Sequence, residues 1–438
     1  MLSSKHKTAM NRYAIKDLYA WKDKPNRKPL ILQGARQVGK TWLMQKFAEE
    51  AFPKSIYINF ENNTQLGDLF AKDFDIKRIT FEIQLATGIK PDNETLLIFD
   101  EIQEAKRGVT GLKYFYEQAP QLPVIAAGSL LGIATHQHDS FPVGKVDFAS
   151  LYPLSFWEFL DAIGKGQFVD AIRQRQWDAL APFETQLHDL LKQYYFVGGM
   201  PEVVKSFVEM HDVNIVRELQ HNILDAYDRD FSKHAPLSEV PRLRMVWRSI
   251  SGQLSKENKK FIYGFLKEGA RAKSFELAIE WLRDAGLVYK VSRTKKGLLP
   301  LSAYEDFSAF KLFMLDIGLL CAMSQTPPQA LINGNAIFTD YKGALTEQYV
   351  QQQLRLCRQN SIYYWSADNS QGEIDFLVQN GDTIHPIEVK AEENVQAKSL
   401  RAFVERNPAL HGIRFSMASY REQDWMTNYP LYAVGVVG

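Results

Sequence analysis

Short apolar runs recur through the first third of the chain, separated by stretches whose apolar residues fall at helical spacing. Leu30-Ile31-Leu32, residues 55–60, residues 96–99 and residues 123–127 read as strands, and each is followed by enough chain for a helix. Leu43, Met44 and Phe47 mark the apolar stripe of a helix that opens near residue 40; residues 10–22 and 66–86 carry helical patterning as well. Strands alternating with helices predict an α/β domain built on a mostly parallel sheet with helices on both faces. From Leu151 to about Glu239 the pattern becomes helical and aromatic. It breaks at Phe196-Val197-Gly198-Gly199-Met200-Pro201-Glu202, where Pro201 is placed to open the next helix. Residues 241–300 then read as two helices, a third that Ser274 caps, a strand from Leu287, a lysine-rich turn and a returning strand from Leu298. Residues 301–340 form a strand-to-helix connector. The last hundred residues predict a helix over 343–360, a strand over 362–367, a hairpin of 373–379 with 383–390, a helix over 395–406, and strands near Ile413 and Tyr432.

The first strand leads directly into Gly34-Ala35-Arg36-Gln37-Val38-Gly39-Lys40-Thr41, which matches G-x-x-x-x-G-K-[ST] in its required context of strand, loop and helix start. Such a loop wraps phosphates with backbone N–H groups, here those of Arg36, Gln37, Val38 and Gly39, with Trp42 just inside the helix. Lys40 is expected to reach the β/γ-phosphates and Thr41 to hold Mg²⁺. The third strand ends in Asp100-Glu101, which suits one acid to the Mg²⁺ water shell and the next to polarising the attacking water. An extra strand between the glycine loop and this Asp-Glu strand fits the branch of such ATPases that uses a glutamate, here Glu101. The fourth strand ends in Gly128-Ser129, where a polar side chain can sense the γ-phosphate. Arg229, between Asp228 and Asp230, fits either an arginine finger or a solvated charge cluster.

Composition narrows the setting. An apolar fraction of 45% over 438 residues is that of an ordinary globular chain of about three domains, and a net charge of +1 means that any basic surface must be local. Two cysteines, Cys321 and Cys357, are too few for a disulfide framework and suit a reducing interior. The start lacks the apolar core of a signal peptide and no apolar run is long enough to span a bilayer, so a cytoplasmic location without a membrane partner is expected.

Charge then singles out residues 241–300, with fourteen Lys/Arg against five Asp/Glu. Three helices and a β-hairpin with that excess predict a winged helix that contacts DNA, although winged helices also serve as protein-contact modules. In the closing hairpin, a two-residue loop at Asn380-Gly381 or Gly381-Asp382 puts Asp375 on the same sheet face as Glu388 and Lys390. Glu347 can reach in from the preceding helix. Asp375 and Glu388 would bind Mg²⁺ or Mn²⁺ beside a scissile phosphate, and Lys390 would orient or deprotonate the attacking water.

Together GARQVGKT, LLIFDEIQ, AAGS, LYPLSFWEF, the GGMP break, FKLFMLDIGLL and the closing GEIDFLV and HPIEVKA resemble the predicted bacterial and archaeal ATPases of the extended AAA type. The resemblance implies a P-loop ATPase core over 1–150, a helical lid over 151–239, a winged helix over 240–305 and a PD-(D/E)xK nuclease-like domain over 306–438. It gives Asp100 and Glu101 the metal and water-activating roles, Ser129 the sensor position, and Glu347, Asp375, Glu388 and Lys390 the four nuclease positions. The function expected is an ATP-hydrolysing, DNA-acting protein with a metal-dependent nuclease domain. The alternative is an ATP-dependent switch that binds DNA or a protein partner through a silent nuclease fold. Self-association stays open because no arginine finger is secure.

Overall fold

The computed structural model describes residues 11–63, 65–128, 142–256, 259–329, 339–356, 360–367, 372–392 and 397–437. Contacts divide the chain into two compact units. One holds Arg12–Tyr152 with Asp284–Leu287, and the other holds Pro153–Arg283 and Val288–Gly438 together with Asn11. Apart from residues 151–152 and 284–287, the three segments expected after residue 150 therefore share one unit.

The first unit is an all-parallel sheet of β1 (Leu30–Gln33), β2 (Lys54–Asn59), β3 (Thr95–Asp100), β4 (Val124–Ala127) and β5 (Asp147–Ser150), in the order β2-β3-β4-β1-β5. β4 thus lies between the strand that feeds the glycine loop and the strand that ends in Asp100. Both β3 and β4 are buried along their whole length, as their uninterrupted apolar sequences require of central parallel strands. Phe60, Phe70, Phe99 and Phe115 pack ring against ring in the core. The helix expected over 66–86 is confined to Ile76–Thr87, because the Asp75 side chain accepts from the Lys77 N–H and caps its start.

The second unit joins a helical half to an eight-stranded mixed sheet. Its strands are β6 (Val288–Thr294), β7 (Glu305–Met314), β8 (Asn360–Ser366), β9 (Glu373–Asn380), β10 (Thr383–Val389), β11 (Gly412–Ser416), β12 (Arg421–Glu422) and β13 (Met426–Pro430), in the order β12-β13-β11-β10-β9-β8-β6-β7. The β6–β7 hairpin is part of this sheet, since β6 also pairs in parallel with β8. The break at Gly198-Gly199 is where the two halves are tied. Leu154 N–H donates to Gly199 O at 2.7 Å, and Gly199 N–H donates to Asp316 Oδ2 at 2.6 Å. A Cβ on Gly199 would lie 2.2 Å from Leu154 O, so only glycine allows this approach. Buried glutamines on the helix Thr339–Leu354 complete the join: Gln348 and Gln352 accept from Met314 and Ile317 N–H, and Gln353 from Phe156 N–H.

Several elements differ from expectation. In place of a second helix before Ser274 there are 3-10 turns at Tyr263–Phe265 and Ala272–Ser274, in a stretch that holds Gly264 and Gly269, the latter at φ 71°. The returning strand starts at Glu305 rather than Leu298, because Pro300 has no N–H for a ladder and Leu301–Tyr304 makes a 3-10 turn. The last strand is Met426–Pro430, and Tyr432 sits in the 3-10 segment Leu431–Val436 that follows Pro430. No described helix is long and apolar enough to cross a membrane.

Candidate functional site

Between β1 and the helix Lys40–Ala51, the glycine loop holds three residues at positive φ: Gly34 at 150°, Gln37 at 66° and Gly39 at 92°. At Gly34 a Cβ would stand 2.3 Å from Leu151 O, so the chain there passes too close for any other residue. Val38 is buried, Arg36 half-buried, and Gln37 and Trp42 are exposed. Lys40 is 7% exposed and donates from Nζ to Gly34 O and Ala35 O, both at 2.8 Å. Burial pushes its ammonium down to about 8; Glu101 and Asp100 oppose this and Arg36 adds to it.

Asp100, at the end of β3, gathers the polar groups of the site. Its Oδ2 accepts from Thr41 Oγ1 at 2.6 Å and from Tyr57 OH at 2.9 Å, while Oδ1 accepts from Glu101 N–H at 3.1 Å. Glu101 itself is held at φ 48°, and its Oε2 accepts from Gln103 Nε2 at 2.5 Å. A hydroxyl and a carboxylate in contact, at the mouth of a loop shaped by two glycines and the start of a helix, form a donor set that suits Mg²⁺ and nucleotide phosphates. Ser129 lies outside the described residues. Two contributors carry no motif signal. Arg12 donates from Nη1 to Val38 O at 2.8 Å and from Nη2 to Tyr152 O at 2.5 Å, bracing the loop from 26 residues upstream. Tyr57 reaches Asp100 because β2 pairs with β3; burial and the Asp100 carboxylate push its phenol up to about 12, against a hydrogen bond from Asn59.

The second candidate site lies in the mixed sheet. The hairpin turns at Gly381-Asp382, with Asn380 opposite Thr383 and Phe376 opposite Ile387. Beyond that pair the ladder gives way, and Asp375 Oδ2 accepts from Val389 N–H at 2.7 Å, between Glu388 and Lys390 in sequence. Lys390 Nζ pairs with Glu388 Oε1 at 3.1 Å; Glu388 is 5% exposed and its Oε2 has no hydrogen-bond partner. Glu347, on the helix Thr339–Leu354, is not joined to this pair by any described contact. It belongs with Asp375 to a cluster completed by two lysines that the motif reading did not anticipate. Lys259 pairs with Glu347 Oε1, and Lys311 with Glu347 Oε2 at 3.4 Å and with Glu373.

These charges settle one another. Burial opposes ionisation of Glu347, but the Lys259 and Lys311 ammoniums outweigh it and hold the carboxyl well below its ordinary range. Burial and the Glu347 charge push Asp375 up, with the two lysines opposing. Burial disfavours the Lys311 ammonium, yet Glu347, Glu373 and Asp375 more than offset it and keep the group charged. Among the described residues, no group of three or more His, Cys, Asp or Glu is arranged to hold a metal ion. The orphaned Glu388 Oε2 and the neighbouring Asp375 fit a divalent cation; Glu347, with a lysine on each oxygen, does not in this arrangement.

The basic segment divides in the same way. Arg242, Arg244 and Arg293 are spent on Glu239, Asp228 and Asp306, whereas Lys267, Arg271, Lys273, Lys295 and Lys296 are exposed. Arg229 is exposed on the helix Val213–His234.

Residues 26–160 match the family described as AAA domain. Residues 188–330 and 342–434 match two domains of unknown function, DUF8612 and DUF4143. Curated proteins give no match. Among solved structures, a Walker-type ATPase of Pyrococcus abyssi is 14% identical, with 72% of this chain and 96% of that chain covered and a TM-score of 0.47. The ORC1 protein of Aeropyrum pernix in complex with DNA is also 14% identical, over 74% and 94% of the two chains, at a TM-score of 0.28. The RuvB Holliday junction branch migration motor of Thermotoga maritima is 16% identical, over 64% and 89%, at 0.28. With the family match and the loop geometry together, the chain carries a P-loop ATPase domain of the AAA type.

Proposed function

We propose that this protein hydrolyses ATP to act on DNA, with the basic segment of residues 240–305 as a DNA contact and residues 306–438 as a metal-dependent nuclease-like domain. In the basic segment, the missing second helix and the pairing of the hairpin into the large sheet depart from a winged helix. At the P-loop, Arg36, Gln37, Val38, Gly39 and Trp42 line the nucleotide, Lys40 leaves the Gly34 and Ala35 carbonyls for the β/γ-phosphates, and Ser129 senses the γ-phosphate. Thr41 and Asp100 hold Mg²⁺, which supplies neutralisation of phosphate charge when bound. Glu101 polarises the attacking water. The observation that carries the DNA-cleaving half is the Asp375–Val389 hydrogen bond, which keeps Asp375 against the backbone between Glu388 and Lys390. Asp375 and Glu388 would hold Mg²⁺ or Mn²⁺, and Lys390 would orient the water. The exposed Lys267, Arg271, Lys273, Lys295 and Lys296 support DNA as the partner.

The two lysines on Glu347 favour a second reading, in which the carboxylate site is silent and the protein is an ATP-dependent switch. Cleavage of duplex, single-stranded and branched DNA with Mg²⁺ or Mn²⁺, with and without ATP, separates the two. Cleavage lost in Asp375→Ala supports the nuclease, and its loss in Lys40→Ala shows that ATP gates it. ATP hydrolysis stimulated by DNA with no cleavage of any substrate leaves the switch.

A further inference from the structure

We propose that Phe265 and Phe307 are stacking platforms for the bases of single-stranded DNA, with the lysines beside them taking the phosphates. This rests on the DNA reading above and names the form of DNA. Phe265 is 48% exposed and Phe307 78%. Each is presented by backbone that is held in place. Phe265 closes the 3-10 turn Tyr263–Phe265, which Gln253 of the helix Val240–Leu254 clamps: its Nε2 donates to Ile262 O at 2.9 Å and its Oε1 accepts from Ile262 N–H at 3.1 Å. A Cβ on Gly252 would come 2.9 Å from Phe265 Cζ, so the ring rests on the helix where glycine leaves room. Phe307 lies in a bulge, since the β6–β7 register passes from Ser292–Phe310 to Arg293–Asp306 and leaves residues 307–309 without a partner on β6. The bulge is fixed by Asp306, whose Oδ1 accepts from the Ser308 N–H and hydroxyl while Oδ2 pairs with Arg293. The turn and the bulge adjoin: Phe261 N–H donates to Phe310 O at 2.8 Å and the two rings stack at 5.2 Å.

Cations stand beside these aromatics. Lys256 Nζ lies 3.8 Å from the centre of the Phe265 ring, Lys290 Nζ lies 4.7 Å from that of Phe310, and Lys267 is exposed two residues beyond Phe265. Exposed rings interleaved with ammoniums suit a ligand that offers flat π faces on an anionic backbone, which is what an unpaired strand presents. In a duplex the bases stack on one another and leave mainly phosphates to the protein, so the rings gain nothing there. The excess of Lys/Arg over residues 241–300 favours such an anion over an apolar protein face as the occupant.

The test is fluorescence anisotropy of labelled oligothymidylate and of a labelled short duplex, each titrated with the full chain at one fixed salt concentration. The double variant Phe265→Leu with Phe307→Leu keeps apolar bulk without the rings; it should lose at least about tenfold for oligothymidylate and less than about twofold for duplex. Phe265→Trp keeps a stacking face and should bind as the unaltered protein does, with its added emission quenched at saturation by oligothymidylate, a readout that stands even if the leucine variant folds poorly. If the leucine variant binds oligothymidylate unchanged, or loses both ligands equally, or if oligothymidylate leaves the Phe265→Trp emission as it was, stacking is overturned while DNA binding through charge stands. If the unaltered protein binds neither ligand, the DNA reading falls and this inference with it.

Discussion

Alkaline pH should weaken ATP binding through a single group, Lys40. In the free protein its ammonium is driven down to about 8 by burial, against an ordinary value of 10.5. Phosphate oxygens around Nζ restore the charged form, because the cost of burial is then met by opposite charge. At about pH 7 and below, roughly a unit under the free protein's value, the free protein and the complex both hold the proton, and affinity is flat. Between there and the restored value the complex holds a proton that the free protein has released, so binding takes up a proton and affinity falls as pH rises. At about pH 9 roughly one free molecule in eleven is protonated at Lys40, which gives an approximately elevenfold loss, or about 1.4 kcal/mol. Titration of a fluorescent, non-hydrolysable ATP analogue from about pH 7 to pH 9.5 at constant Mg²⁺ and ionic strength measures the loss. Calorimetry in two buffers of unlike ionisation enthalpy counts the proton. Lys40→Arg keeps its charge throughout and should bind without that slope. Affinity that stays level to about pH 9.5, with no proton taken up, would refute the reasoning.

Four other outcomes follow from the same geometry. Glu101→Gln should retain nucleotide binding and lose on the order of 10²–10⁴ in phosphate release; turnover close to the unaltered rate would move water activation to another residue. Gly34→Ala puts a Cβ 2.3 Å from Leu151 O at a φ of 150°, so urea denaturation should show a loss on the order of 1–3 kcal/mol and nucleotide binding should disappear. Lys311→Met removes a buried cation from between Glu347 and Glu373 and should cost about 3–5 kcal/mol by tryptophan-monitored denaturation, part of which returns when Glu347→Gln is added. Replacing Lys295 and Lys296 with glutamate should weaken DNA binding for all sequences alike and lower the slope of log K against log salt by about 2, whereas an unchanged slope would exclude the hairpin from the contact.

The β9–β10 hairpin shows how far local sequence reaches. Parity between Asp375 and Glu388 follows from a two-residue turn, and turns are decided by residues such as Gly381 that accept a positive φ. The glycine loop is legible for the same reason, as its conformations are demanded by adjacent residues and its flanking strand and helix have their own periods. The apolar runs of β3 and β4 likewise announce buried parallel strands. Failures of the reading fell where local signals are weak: Pro300 and Pro430 shift element boundaries, and a stretch around Gly264 and Gly269 turns where a helix was expected.

Pairing between distant segments has no period and leaves no such trace. Arg12 meets Tyr152 across 140 residues, Lys259 meets Glu347 across 88, and Lys311 meets it across 36. Each of these groups, read alone, is an ordinary surface charge. The sequence determined that a phosphate loop, a strand ending in two acids and a hairpin bearing Asp375, Glu388 and Lys390 would form, because each is fixed by neighbours along the chain. Only the tertiary structure decided that β4 would separate the loop strand from the acid strand and that two lysines would close over Glu347. The place of β4 depends on which apolar strands pair when remote segments pack, and the closing of Glu347 depends on which buried charges find a partner, a choice that desolvation makes only once the sheet is assembled.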